Sequence, residues 1–153
     1  MYLSKGDTAP AFSLPDQNGN LKSLEDFSGS KIVLWFFPKA NTPGWILEGI
    51  GFRVEFDKFL EQYIELVGVS ADTPDKQKKF EEKFNFSFYF LSDESKEMLI
   101  AYKAWGKKKF MGREYNGIHR ITYIINENGI IQHTFEKVKT KSHARDVLAV
   151  LSE

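Results

Sequence analysis

Cysteine is absent from all 153 residues. That excludes a disulfide, a thiol redox couple and any cysteine metal ligand. An excess of either charge is also missing: 21 basic side chains balance 21 acidic ones. No net field therefore draws the chain to nucleic acid, and the one short cationic run, Lys107-Lys108-Lys109, reads as a solvated turn. Long apolar runs are lacking, since none approaches the roughly 18 residues of a membrane span. The stretch from Met1 to Asp7 has no apolar segment of the kind a secretion signal carries. The expectation is a cytoplasmic protein without a membrane partner. Histidine is scarce. His119, His133 and His143 lie far apart without ligand spacing, so neither a metal site nor a cofactor is expected. A Gly-x-Ser-x-Gly elbow and a phosphate loop are absent as well.

What is present is an aromatic interior. Hydrophobic residues make up 42% of the chain and 14 of them are phenylalanine, enough for one core in a single domain spanning 1–153. Ala11-Phe12-Ser13-Leu14 and Leu21-Lys22-Ser23-Leu24 flank an Asn18-Gly19 turn and read as a hairpin. Lys31 to Phe37 and Glu65 to Ser70 are continuous apolar runs typical of buried strands. Pro43 opens a helix predicted to run from Thr42 to Tyr63, and Thr73-Pro74 opens another that reaches Phe84. A short strand at Phe88–Leu91, a capped short helix up to Tyr102, a hairpin of Ile121–Ile125 with Ile130–Phe135, and a last helix from Ser142 to Leu151 complete the order. Strands alternating with helices, and hairpins at both ends, predict an α/β fold with a mixed central sheet and helices on both faces.

The segment Pro38-Lys39-Ala40-Asn41-Thr42-Pro43-Gly44-Trp45 has the layout of a nucleophile loop, a strand leading through a Pro/Gly turn into a helix. Free N–H groups and the helix dipole would stabilise a thiolate in that first turn. Trp45 stands there instead, and an indole is no thiolate nucleophile.

Element order and loop together resemble a thioredoxin-fold peroxiredoxin. Phe37-Pro38-Lys39-Ala40-Asn41-Thr42-Pro43-Gly44 resembles the active-site loop of the bacterioferritin comigratory protein, or peroxiredoxin Q, subfamily. Ala9-Pro10-Ala11-Phe12-Ser13-Leu14-Pro15-Asp16, Leu91-Ser92-Asp93-Glu94, Trp105-Gly106, Gly117-Ile118-His119-Arg120 and the stretch from Val138 to Ala144 are similar to the subfamily as well. The resemblance implies that Pro38 and Thr42 match the family's Pro-x-x-x-Thr-x-x-Cys pattern. It places Trp45 at the peroxidatic cysteine, Ile50 at the resolving position of many members, and Arg120 at the arginine that holds thiolate and peroxide. On that basis the site is expected to be vestigial, with no catalytic residue, and the chain is expected not to be an enzyme.

The helix after the loop carries a second signal. Phe52, Phe56, Phe59, Leu60 and Tyr63 share one face and read as a core stripe. Ile46, Ile50 and Val54 form a second apolar stripe roughly opposite, with Leu47 beside it. Gly49, which costs about 0.5–1 kcal/mol inside a helix, would let another backbone approach. Tyr89 and Ile100 are unusually apolar for their places in the family. Trp45, Ile46, Leu47, Gly49, Ile50, Val54, Tyr89 and Ile100 are therefore expected to form one exposed patch that binds a protein, through an apolar groove or helix or as a homodimer. Large apolar residues at both cysteine positions read as deliberate replacement, that is, as an engineered scaffold. The alternatives are a homologue without peroxidase activity, natural or mutant, and a scaffold redesigned for another reaction. A buried polar constellation near Trp45 would point to the last.

Overall fold

The structure, a computed structural model, describes residues 2–37, 43–139 and 142–151, with the side chains of Pro43, Trp45 and Phe110 left aside. The long apolar run becomes β3 (Lys31–Phe36), buried along nearly its whole length. It pairs in parallel with β4 (Ile64–Ser70) and antiparallel with β8 (Thr122–Ile125). With β5 (Tyr89–Ser92) and β9 (Ile131–Phe135) these form a five-stranded sheet of order β5-β4-β3-β8-β9. A short hairpin of β1 (Ser13–Pro15) and β2 (Leu21–Ser23) precedes it.

Alternation along the strands sends side chains to two separate cores. Val33, Trp35, Phe37, Leu66, Phe88, Phe90 and Ile124 enter one. Ile32, Leu34, Phe36, Val67, Val69, Leu91, Tyr123 and Ile125 enter the other. Four helices feed the first core: α1 (Pro43–Val54) through Phe52, α2 (Phe56–Glu61) through Phe59, α3 (Pro74–Phe84) through Phe80, and α5 (His143–Leu151) through Val147. Successive parallel strands joined by right-handed crossovers put α1 and α3 on one side. The opposite core is covered by α4 (Glu97–Ala101), through Met98 and Leu99, and by a 3-10 turn carrying Phe27.

Two sequence expectations change. The single helix from Thr42 to Tyr63 is two helices, broken at Glu55, whose backbone sits at φ −95° and ψ 6°. The break rephases the chain. Phe52 and Phe59 remain fully buried, but Leu60 and Tyr63 turn outward, 59% and 82% exposed. The core stripe therefore ends earlier than its spacing suggests. The lysine run is not a turn either. It lies in β6 (Trp105–Phe110), which pairs antiparallel with β7 (Arg113–Ile118). The tight turn between them holds Met111 and Gly112 at φ 50° and 78°, both in the left-handed region that two-residue hairpins require.

Candidate functional site

The first turn of α1 meets the segment that follows β7. Gly44 lies directly under the Arg120 guanidinium. A Cβ at position 44 would stand 2.8 Å from Arg120 Cζ, so the guanidinium would have to shift to admit a side chain there. Glycine in the Pro43-Gly44 pair lets Arg120 lie in this position. Trp45 occupies the same first turn through its backbone. Pro38 and Thr42, the other loop residues singled out by the sequence, lie outside the described residues.

One turn further along α1 is a residue that no sequence motif singled out. Glu48 points inward and is 1% exposed. Its Oε1 stands 3.7 Å from Nε2 of His143, at the start of α5 and equally buried. His143 Nε2 shares a 2.8 Å hydrogen bond with Thr122 Oγ1 on β8. Phe52 and Phe135 present their ring edges to the imidazole at 5.7 and 5.2 Å. Glu48 Oε2 has no hydrogen-bond partner among the described residues. Burial pushes the Glu48 carboxyl well above its ordinary pKa, and the Arg120 charge opposes this. Burial also pushes His143 down to about 4, against a smaller opposing effect of Asp146. A carboxyl held toward its neutral form and a neutral imidazole thus sit between α1 and α5, shielded from solvent. Among the described residues no group of three or more His, Asp or Glu side chains is placed to hold a metal ion.

The available signal for Glu48 was its phase. It stands four residues before Phe52, in register with the core stripe, so its carboxylate had to enter the interior.

The apolar patch divides. Leu47 and Val54 are exposed, at 44% and 67%. Ile46 and Ile50 are half-buried and pack on the phenylalanine core. Leu47, Ile50, Gly51 and Val54 form one wall of a groove of about 270 Å³ whose other wall is Ala144, Arg145 and Ser142. Gly49 does not open this face to a partner. It is buried, and a Cβ there would lie 2.7 Å from Phe86 Cζ, so the room it makes is filled from within the chain. Tyr89 and Ile100 do not join the patch. The ring of Tyr89 meets Phe27 at 5.5 Å in the core on the other side of the sheet. Ile100, 58% exposed, lies on α4, whose Met98 and Leu99 feed that same opposite core. Strand parity separates Tyr89 from α1.

Known proteins give this geometry a context. Residues 5–134 match the AhpC/TSA family. Peroxiredoxin Bcp of Escherichia coli K12 is 42% identical over 151 residues, covering 99% of this chain and 97% of that protein. A putative peroxiredoxin bcp of Haemophilus influenzae is 41% identical over 149 residues, covering 97% and 96%. Among solved structures, a cysteine-to-serine mutant of PrxQ from Xylella fastidiosa superimposes with a TM-score of 0.93 at 29% identity, covering 99% of this chain and 97% of that one. The bacterioferritin comigratory protein of Xanthomonas campestris gives 0.87 at 30% identity, with 92% and 90% covered. These relatives correct the expectation that the chain is no enzyme. They are named peroxiredoxins, and a missing cysteine bears on the nucleophile without removing the chain from an enzyme family. Matched along nearly its whole length, the chain belongs to the AhpC/TSA family, among the Bcp and PrxQ peroxiredoxins.

Proposed function

We propose that this peroxiredoxin scaffold binds a protein partner through the groove between α1 and α5. The observation that carries the reading is the pair of large apolar side chains left in water on its rim, Leu47 and Val54. Covering a side chain of that size contributes roughly 1.5–3 kcal/mol. The wall beneath them is apolar, formed by Ile50, Gly51 and Ala144, and Glu55 and Arg145 set opposite charges at its edge, 3.7 Å apart. Such an apolar centre with a polar rim suits an inserted aliphatic or aromatic side chain of another protein. A second copy of the chain is included among such partners. In this reading, Ile50, at the position that the resemblance gives to a resolving cysteine, serves the wall of a contact face, as a redesign of the scaffold would have it. Glu48 and His143 are buried and do not line this groove.

The test uses the intact chain as bait, followed by affinity measurement with the partner recovered, and sedimentation equilibrium for self-association. Val54→Asp and Leu47→Asp are expected to weaken binding by about 2 kcal/mol each, because each would bury an unpaired charge. Unchanged affinity in both variants sinks the reading.

A further inference from the structure

With no cysteine in the chain, every sulfur atom belongs to a methionine, and the three are Met1, Met98 and Met111. Met1 lies outside the described residues. The other two have opposite surroundings. Met98, on α4, is 4% exposed and belongs to the core that holds Phe12, Leu99 and Tyr102. Met111 is 87% exposed, more than any other large apolar side chain among the described residues.

The hairpin explains the difference. Phe110 pairs with Arg113 and closes the β6–β7 turn, which leaves Met111 and Gly112 outside the ladder. Both have positive φ, a conformation that two-residue hairpins need and that suits glycine and asparagine better than a long side chain. Gly112 offers Met111 no side chain to pack on, and a Cβ at position 112 would meet nothing within 4 Å. Lys109 and Arg113, on either side of the turn, are exposed as well. Neither burial nor backbone conformation therefore favours methionine here. What the position provides is a thioether open to solvent, in a chain whose other described sulfur is sealed in the core.

We propose that Met111 is the site at which hydroperoxides modify this protein, its thioether being oxidised to the sulfoxide. In that step a sulfur lone pair attacks the hydroxyl oxygen of the hydroperoxide. The S–O bond forms as the O–O bond breaks. The other oxygen takes up the hydroxyl proton and leaves as water, or as an alcohol from an organic hydroperoxide. Sulfur gives up two electrons and the peroxide gains them. The product replaces the apolar tip of the hairpin by a polar group. The reaction needs no thiol at position 45 and no occupant of the α1–α5 groove, so it stands or falls apart from both.

The experiment exposes the intact, folded chain to hydrogen peroxide, and peptide mapping by mass spectrometry follows the added oxygen at each methionine. Met111 is expected to be oxidised about as fast as N-acetylmethionine amide in the same solution, and at least about ten-fold faster than Met98, because susceptibility follows exposure. In denaturing urea the two rates are expected to converge, since the fold alone separates them. Equal rates at Met98 and Met111 in the folded chain overturn the proposal. So does a Met111 rate far below that of the free amide, or a difference between the two methionines that persists unchanged in urea.

Discussion

Glu48 Oε1 stands 3.7 Å from His143 Nε2, with both side chains 1% exposed. The gap is longer than a hydrogen bond, so the carboxyl gains little from the imidazole, which is already bonded to Thr122. The cluster nonetheless brings α1, α5 and β8 together at one point. Each of its two titratable groups prefers its neutral form.

Their pH dependences run in opposite directions. Glu48 has a raised folded pKa, so the folded state holds its proton more tightly, and stability from this group falls as pH rises from its ordinary 4.5. His143 has a folded pKa lowered to about 4 from 6.5, so its contribution is full above 6.5 and is lost as pH falls toward 4. Glu48→Gln is therefore expected to stabilise the protein by about 1–2 kcal/mol at neutral pH. That gain should fade as pH falls below about 4.5, where the glutamate becomes protonated in both states. Urea unfolding at neutral and at acid pH checks this; a gain of the same size at both pH values contradicts it.

Gly49 gives a second prediction. Alanine is favoured over glycine in a helix by about 1 kcal/mol, yet its methyl would press on Phe86, which is stacked against Phe84 and Phe88 at 5.7 and 5.2 Å. Overpacking of that kind costs about 1–3 kcal/mol, so Gly49→Ala is expected to destabilise. In a Phe86→Leu background the same change should turn neutral or stabilising. A double-mutant cycle by chemical denaturation measures the coupling, and simple additivity would show that the ring is not the obstacle.

A thiol returned to the first turn of α1 tests the electrostatics of that turn. Trp45→Cys would place it next to Gly44, over which Arg120 lies. The helix terminus and the guanidinium both favour a thiolate, so the introduced thiol is expected to titrate below the ordinary value of about 8.5. Thiolate absorbance against pH reads this directly. Removing the guanidinium with Arg120→Met should move the titration upward; a thiol indifferent to that change contradicts the arrangement.

Much of the fold was legible because its signals are local. The apolar run at β3, the Thr73-Pro74 cap of α3 and the Asn-Gly turn of the first hairpin each specify an element without reference to the rest. The break at Glu55 was not legible, since no proline or glycine marks it. Glu55 is held by Lys58 at 2.8 Å and Arg145 at 3.7 Å, and the second of these contacts exists only after α5 docks. The β6–β7 hairpin was hidden for a related reason: its exposed lysines obscure the alternation that marks a half-buried strand. At the site, Arg120 was legible through family resemblance, whereas Glu48 and His143 were not paired because 95 residues separate them in the chain, by their numbers. Gly49 was read as a gap for a partner because spacing shows that room is made and not which ring fills it.

The apolar face of α1 yields the last prediction, which separates two residues that the sequence treats alike. Val54 and Ile50 stand one turn apart in the same stripe, but Val54 is 67% exposed and Ile50 packs on the phenylalanine core. Ile50→Asp brings a carboxylate against that core and is expected to cost about 2–3 kcal/mol. Val54→Asp stays in water at the end of α1, where the helix dipole is unfavourable to it, and is expected to cost about 0.5 kcal/mol. Denaturation midpoints distinguish the two. If Val54→Asp has this small effect on stability and also removes partner binding, the exposed half of the stripe is a contact surface. A loss of stability as large as that of Ile50→Asp would instead place Val54 within the packing of the chain and leave the groove without its rim.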